Sequence, residues 1–407
     1  MEFLDFHDSL FYNMKEQNSI FSNKVMGIIE LEGNIDETFA LNILKKIVSK
    51  YPKFGKVVKS KGGNLYWEES DINYKHHYKV LNKKKYNKKS HNKLLEKIAN
   101  KGLKENIPKH KWYFINYPSM CFIVVKFCHS YGDGDFIIQN VLKNTFADSN
   151  FTKVTRAPSK SKNENIFVKI WKGIYYFIVS SICILYFLLF YKKDAIFATP
   201  KQNCRAKFKE VYIFDLLFLK QKKNTLHVSM NDLLYSIILK SLKKYANREN
   251  ISLSSSSMMN LRKTGEKIQE ANNFAFVMFS TNMNKGNVFE KINKQMNYYK
   301  KSPIIPCITN VLKCLFHFSC PLVMKCIDYI FSKNHFGYSC YDTKMNNLYI
   351  DNKKVKSIEN IVIPYKQDVF FSLVTYNKRV KLNMCYKEGV INDKKFIKCV
   401  EEVVKNL

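Results

Sequence analysis

Acidic residues are in short supply: Asp and Glu total 34 against 67 Lys and Arg, a formal net charge of +33 over 407 residues. Paired cysteines are missing too. The eleven cysteines form no C-x-x-C pair and no cluster with histidine, which argues against a zinc site or other bound metal. Cys314, Cys320 and Cys326 recur within an apolar stretch, where a thiol serves as a small hydrophobe. The N-terminus MEFLDFHDSLFYNMKEQ has neither a basic start nor a long apolar run, so no secretory signal is visible. Together these absences point to reduced thiols in a cytosol-facing environment. No short internal repeat is present. With hydrophobic residues at 46% and aromatics at 14%, the chain is too apolar to be disordered and long enough for two lobes with sizeable cores.

The excess positive charge admits three readings. Segments such as LNKKKYNKKSHNK at 81–93 could neutralise nucleic-acid phosphates, decorate solvated faces or favour an anionic membrane surface. No groove-reading helix or base-stacking motif supports a nucleic-acid partner, and none is expected.

Residues 1–150 alternate between strand and helix patterns. KVMGIIELEG reads as a strand closed by Gly33, and NIDETFALNILKKIVSKYP as a helix capped by Asn34 or Asp36 and stopped at Pro52. SMCFIVVKFC is a continuous apolar run, expected to be central in a sheet. The polar segment at 156–166 reads as a linker, and SLSSSS at 252–257 as a loop. SMNDLLYSIILKSLKKYANREN reads as a helix opened by the S-x-x-D capping pair Ser229 and Asp232. Strand-like segments follow, ending in a final helix, NDKKFIKCVEEVVKNL.

Between the halves lies GIYYFIVSSICILYFLLFY at 173–191, uncharged throughout and with tyrosines at both ends. At about 1.5 Å per residue it spans roughly one hydrocarbon thickness. Membrane contact is therefore expected, with a buried core helix as the alternative.

One corner carries chemistry. VVKFCHSYGDGDF at 124–136 ends an apolar strand at Cys128 and continues with His129, Ser130, Tyr131, Gly132, Asp133 and Gly134. A histidine at a strand end can take a proton from a hydroxyl or thiol near neutral pH. The glycines permit a tight turn or a close approach. The same residues could also make a purely structural turn with Asp133 as a helix cap.

H-x-x-x-D-G after an apolar strand is the signature of acyl-CoA-dependent acyltransferases related to chloramphenicol acetyltransferase. More closely, the chain resembles the wax ester synthase/acyl-CoA:diacylglycerol acyltransferase family. FHDSLFYNM resembles that family's opening segment, YPKFGKVV its post-helix segment, and CHSYGDG its H-H-x-x-x-D-G motif with Cys128 in place of the first histidine. IPKHKW stands where the family has P-L-W, keeping only Trp112. MNDLLYSIILKSLKKY resembles the N-D helix, and NLRK and NNFAF the S-L-R and G-N segments.

The resemblance implies an α/β (mixed α+β) fold of two chloramphenicol acetyltransferase-like lobes, each a mixed β-sheet with helices, and an active-site tunnel between them. The expected division is an N-terminal lobe at 1–155, a linker with the hydrophobic segment at 156–204, and a C-terminal lobe at 205–407. By resemblance His129 is the general base. Asp133 holds the turn through an arginine, and Gly134 makes room for the acyl chain. Asn231 stabilises the oxyanion, a role its position at a helix N-terminus also suits, although capping is the other reading. Trp112 and Asp232 are expected at the substrate. The implied reaction moves a fatty acyl group from acyl-CoA to a long-chain alcohol or diacylglycerol, with no resident cofactor and no acyl-enzyme. No G-x-S-x-G nucleophile elbow is present.

If both lobes build one tunnel, a complete span at 173–191 would separate them. An interfacial or re-entrant segment is expected instead, bent near Ser180–Ser181. It would dock the tunnel mouth on a bilayer, on the endoplasmic reticulum with the lobes facing the cytosol. Acylation of another hydroxyl or amine, and non-catalytic lipid or CoA binding, are the alternatives.

Overall fold

The computed structural model describes residues 2–14, 24–134, 136–144, 165–190, 193–202, 204–262, 272–284, 286–302 and 304–407. The polar segment expected as a linker at 156–166 therefore lies almost wholly outside the described residues. Among those described, strand β1 (Glu2–Phe3) and helix α1 (Phe6–Asn13) precede β2 (Lys24–Glu32) and α2 (Glu37–Lys50). Next come β3 (Lys56–Lys61), β4 (Asn64–Glu69), β5 (Tyr78–Asn82), α3 (Lys88–Asn100), β6 (His110–Asn116) and β7 (Met120–Cys128). A π-helical turn (Phe136–Asn144) closes the first part, and α4 (Ile166–Phe190) links it to the second. There β8 (Ala206–Asp215), α5 (Leu216–Thr225), α6 (Met230–Ala246), β9 (Ser252–Asn260) and β10 (Phe274–Asn282) lead into α7 (Val288–Lys301), α8 (Ile304–Phe318) and α9 (Cys320–Ser332). The chain ends with β11 (Phe336–Asp342), β12 (Tyr349–Ile350), β13 (Lys353–Val362), β14 (Val369–Tyr376), β15 (Arg379–Lys387) and α10 (Asp393–Lys405).

Two mixed six-stranded sheets organise these elements, in the orders β12-β13-β2-β7-β6-β5 and β10-β9-β11-β14-β15-β8, beside a small sheet β1-β4-β3. The first sheet is antiparallel except for β5–β6, and the second contains the parallel pairs β9–β11 and β11–β14. The two lobes share chain: β13 leaves the C-terminal half to pair with β2 along its length, then β14 returns to the second sheet. Tyr376 of β14 donates its hydroxyl to the Val355 carbonyl, and Ser372 donates to Asn360, pinning the crossing strand.

Local chemistry sets the helix ends. Asp36 accepts the Phe39 N–H at 2.7 Å, and α2 stops at Lys50, two residues before Pro52. Ser229 and Asp232 exchange side chain and backbone N–H as a reciprocal pair at the start of α6. SLSSSS is not a loop but most of β9, inside the second sheet. Its serines can be buried because their hydroxyls have partners: Ser254 meets His335 and the Lys333 carbonyl, Ser255 meets Tyr235, and Ser256 accepts from Gln367.

Among the described residues no helix is long and apolar enough to cross a membrane. Helix α4 lies along the surface against α8, where the Ser180 hydroxyl donates to the Ile304 carbonyl at 3.4 Å. It runs unbroken through Ser180–Ser181, where the Ser181 hydroxyl donates to the Phe177 carbonyl at 2.9 Å. Its outer face carries exposed Phe167, Trp171, Tyr175, Ile178, Ile182 and Leu185, joined by Leu315 and Phe318 of α8 and Leu322 of α9.

Candidate active site

Strand β7 lies between β2 and β6 and is buried from Cys121 to Cys128, which explains its apolar sequence; its one charged residue, Lys126, is buried with Nζ donating to the Ile98 and Ala99 carbonyls. It delivers His129 at its C-terminal end, inside a single helical turn of His129–Tyr131. Gly132 follows with φ 153°, and a Cβ there would lie 2.3 Å from the Phe136 ring, so no side chain fits. Asp133 then anchors the corner. Its Oδ1 accepts the Phe136 N–H at 2.9 Å, and its Oδ2 accepts the Asn273 N–H at 3.2 Å and meets Arg262 Nη2 at 2.7 Å. Gly134 faces the Tyr341 ring, which would stand 3.2 Å from a Cβ.

The His129 side chain is almost wholly buried, at 5% exposure. Phe11 of α1 stacks on its ring at 4.1 Å between centroids. Nδ1 lies 3.0 Å from Asn272 Oδ1, while Nε2 has no hydrogen-bond partner among the described residues. Burial lowers the imidazole pKa from its ordinary 6.5, against the opposing pull of the Asp133 carboxylate, so the ring is neutral at pH 7. Asn272 Nδ2 donates to Asp8 Oδ1 at 2.7 Å and to the His129 carbonyl at 2.8 Å. Asp8 in turn pairs with Lys53 at 2.5 Å, both buried. Burial pushes the Asp8 carboxyl up to about 7, with Lys53 pulling the other way.

From the other lobe comes Asn231, the second residue of α6. Its Oδ1 accepts the Tyr338 hydroxyl at 2.9 Å, which leaves its amide N–H groups as donors. His129 and Asn231 line one cavity of about 880 Å³ between the two large sheets. That volume suits a sizeable organic ligand. Val25, Ile29, Phe127, Leu142, Val362 and Phe274 make apolar wall. Lys220, Lys223, Lys344 and Lys378 stand at the solvent side with Asn346 and Asn377.

The structure thus brings together His129, Asp133, Gly134 and Asn231. Trp112 and Asp232, expected beside the substrate, stand outside the cavity wall. Trp112 is packed in the core of the first lobe, with Nε1 donating to His110 Nδ1 at 3.2 Å. Asp232 turns back to accept the Ser229 N–H at 3.3 Å, with Lys300 3.8 Å from its other oxygen. The cap requires that direction and removes the carboxylate from the cavity. Asp8, Lys53, Arg262, Asn272 and Tyr338 were not singled out by the sequence. Four of these sit in segments that carry the family resemblance: FHDSLFYNM, YPKFGKVV, NLRK and NNFAF.

Comparison with known proteins agrees with this architecture. Residues 271–407 match the WS/DGAT C-terminal domain. No curated protein matches the chain in sequence. Among solved structures, the wax ester synthase/diacylglycerol acyltransferase from Marinobacter aquaeolei VT8 is similar at a TM-score of 0.65 and 12% identity, over 99% of this chain and 98% of that one. The TRI3 trichothecene 15-O-acetyltransferase from Fusarium sporotrichioides is similar at 0.67 and 10%, over 98% and 93%. Polyketide synthase associated protein 5 from Mycobacterium tuberculosis is similar at 0.60 and 12%, over 99% and 97%. The C-terminal third thus matches the WS/DGAT C-terminal domain, and the chain as a whole shares the fold of these solved structures.

Proposed function

We propose that the protein transfers a fatty acyl group from acyl-CoA to a long-chain alcohol or diacylglycerol, with His129 as general base. The observation that carries this is the meeting of a buried neutral His129 and Asn231, from opposite lobes, in one cavity with both apolar and basic walls. The acceptor hydroxyl gives its proton to the open Nε2 of His129 as its oxygen attacks the thioester carbonyl. The tetrahedral oxyanion is met by Asn231 and the first turn of α6, where unpaired N–H groups and the helix dipole favour negative charge. The C–S bond then breaks, and the imidazolium returns the proton to the CoA thiolate. One ester forms for each thioester lost, and no group on the protein is acylated. Asp133, held by Arg262, shapes the turn, and Gly134 leaves room beside the acyl chain.

The four lysines at the cavity mouth suit a phosphate-bearing donor, since none forms an ion pair with a described residue. The exposed apolar face of α4, α8 and α9 suits a bilayer in which hydrophobic acceptors dissolve. On this reading α4 lies in the interface, and both lobes stay on the cytosolic side, as on the endoplasmic reticulum. Incubation with labelled acyl-CoA and a panel of alcohols, diacylglycerols and amines tests the assignment. Ester formation with the alcohols or diacylglycerol is expected. Exclusive turnover of amines, or binding of acyl-CoA with no product from any acceptor, would contradict it.

A further inference from the structure

We propose that Asn272 fixes the working tautomer of His129, and that the buried Asp8–Lys53 pair fixes Asn272; this rests on the reading of His129 as the base. An amide side chain has one oxygen that only accepts and one nitrogen that only donates. Asn272 Nδ2 stands 2.7 Å from Asp8 Oδ1 and 2.8 Å from the His129 carbonyl oxygen, both acceptors. A flipped amide would set its oxygen against the His129 carbonyl oxygen, which cannot donate, and against the Asp8 carboxylate, so the orientation is forced. Oδ1 then faces His129 Nδ1 at 3.0 Å and can only accept. Nδ1 must therefore carry the proton. A neutral imidazole has one such proton, so Nε2 is left with its lone pair.

The clamp is built from four distant segments and both lobes. Lys53 holds Asp8 at 2.5 Å with its ammonium 5.0 Å from the Trp67 ring centroid. Phe11, one helical turn after Asp8 on α1, stacks on the imidazole that Asn272 orients. Asp8, Lys53 and Asn272 do not line the cavity. They act through His129 as positioning residues.

The test is ring-nitrogen NMR of the full-length protein labelled with ¹⁵N-histidine, the His129 signals being identified by their loss in His129→Gln. Wild type is expected to show the Nδ1–H form. Asn272→Ala is expected to show a mixture with Nε2–H, and kcat to fall roughly 10- to 100-fold while KM changes less than about 2-fold. A paired variant keeps the question open should Asn272→Ala misfold. Asp8→Asn with Lys53→Met retains an acceptor for Asn272 and should keep the wild-type tautomer. Asp8→Leu with Lys53→Met removes that acceptor and should not. An unchanged Nδ1–H form in both Asn272→Ala and the Asp8→Leu pair would overturn the proposal. The NMR result stands whether or not the wild type transfers acyl groups, so the two readings fail separately.

Discussion

Asn231 sits where capping and the proposed oxyanion role could overlap, and the cap falls to its neighbours. Ser229 and Asp232 perform the cap, while Asn231 faces the cavity with its oxygen tied to Tyr338. Asn231→Ala is therefore expected to lower kcat by about 10²- to 10³-fold with little change in the unfolding midpoint. Ser229→Ala should instead cost about 1 kcal/mol of stability; equal losses of kcat in the two variants would refute the division. Legibility followed sequence distance. His129, Gly132 and Asp133 lie within five positions and announce themselves, and the Ser229–Asp232 cap is equally local. Asn272 reaches His129 across 143 positions and Asp8 across 264. Those contacts are made by packing, and no local pattern encodes them. Trp112 shows the converse: a motif residue whose bulk fills the core of its lobe.

Helix α4 departs from the usual amphipathic design. Its inner face packs on α8 and buries Ile184, yet its outer face is also apolar. Hydropathy made this segment legible, but not the partners α8 and α9 that extend its surface. The opposite case is β9, whose run of serines hides an inner strand flanked by β10 and β11. Burial there depends on His335, Tyr235 and Gln367, which the local sequence cannot supply. The protein's own tryptophans offer a test of the apolar face. Of the three, Trp67 and Trp112 are buried, and Trp171 on α4 is 72% exposed. Anionic vesicles should therefore shift the emission to shorter wavelength, and Trp171→Phe should abolish that shift. An emission spectrum unaltered by vesicles would exclude α4 from the interface.

At the scale of the whole molecule, the β13 crossing binds two lobes into one body with the cavity at their seam. Buried neutral histidines set the acid limit of this body. Burial lowers His110 to about 3, and His91 and His335 to about 4, from an ordinary 6.5. The unfolded chain binds these protons first. Stability is thus fully present above pH 6.5 and is lost as pH falls toward 4, by about 1.4 kcal/mol per pH unit for each histidine. Denaturant titrations at pH 7 and 5 should show that loss; equal midpoints would refute it. The lysine mouth makes a separate prediction: Lys220→Glu with Lys223→Glu should raise KM for acyl-CoA several-fold and leave KM for the acceptor unchanged.

The central claim is direct acyl transfer with His129 taking the acceptor's proton. A rapid-mixing measurement of free CoA, with and without acceptor, tests it most directly. The account predicts negligible CoA from acyl-CoA alone, one CoA per ester once acceptor is present, and a loss of about 10²- to 10⁴-fold in His129→Gln. A stoichiometric burst of CoA without acceptor, or an unimpaired His129→Gln, would contradict it.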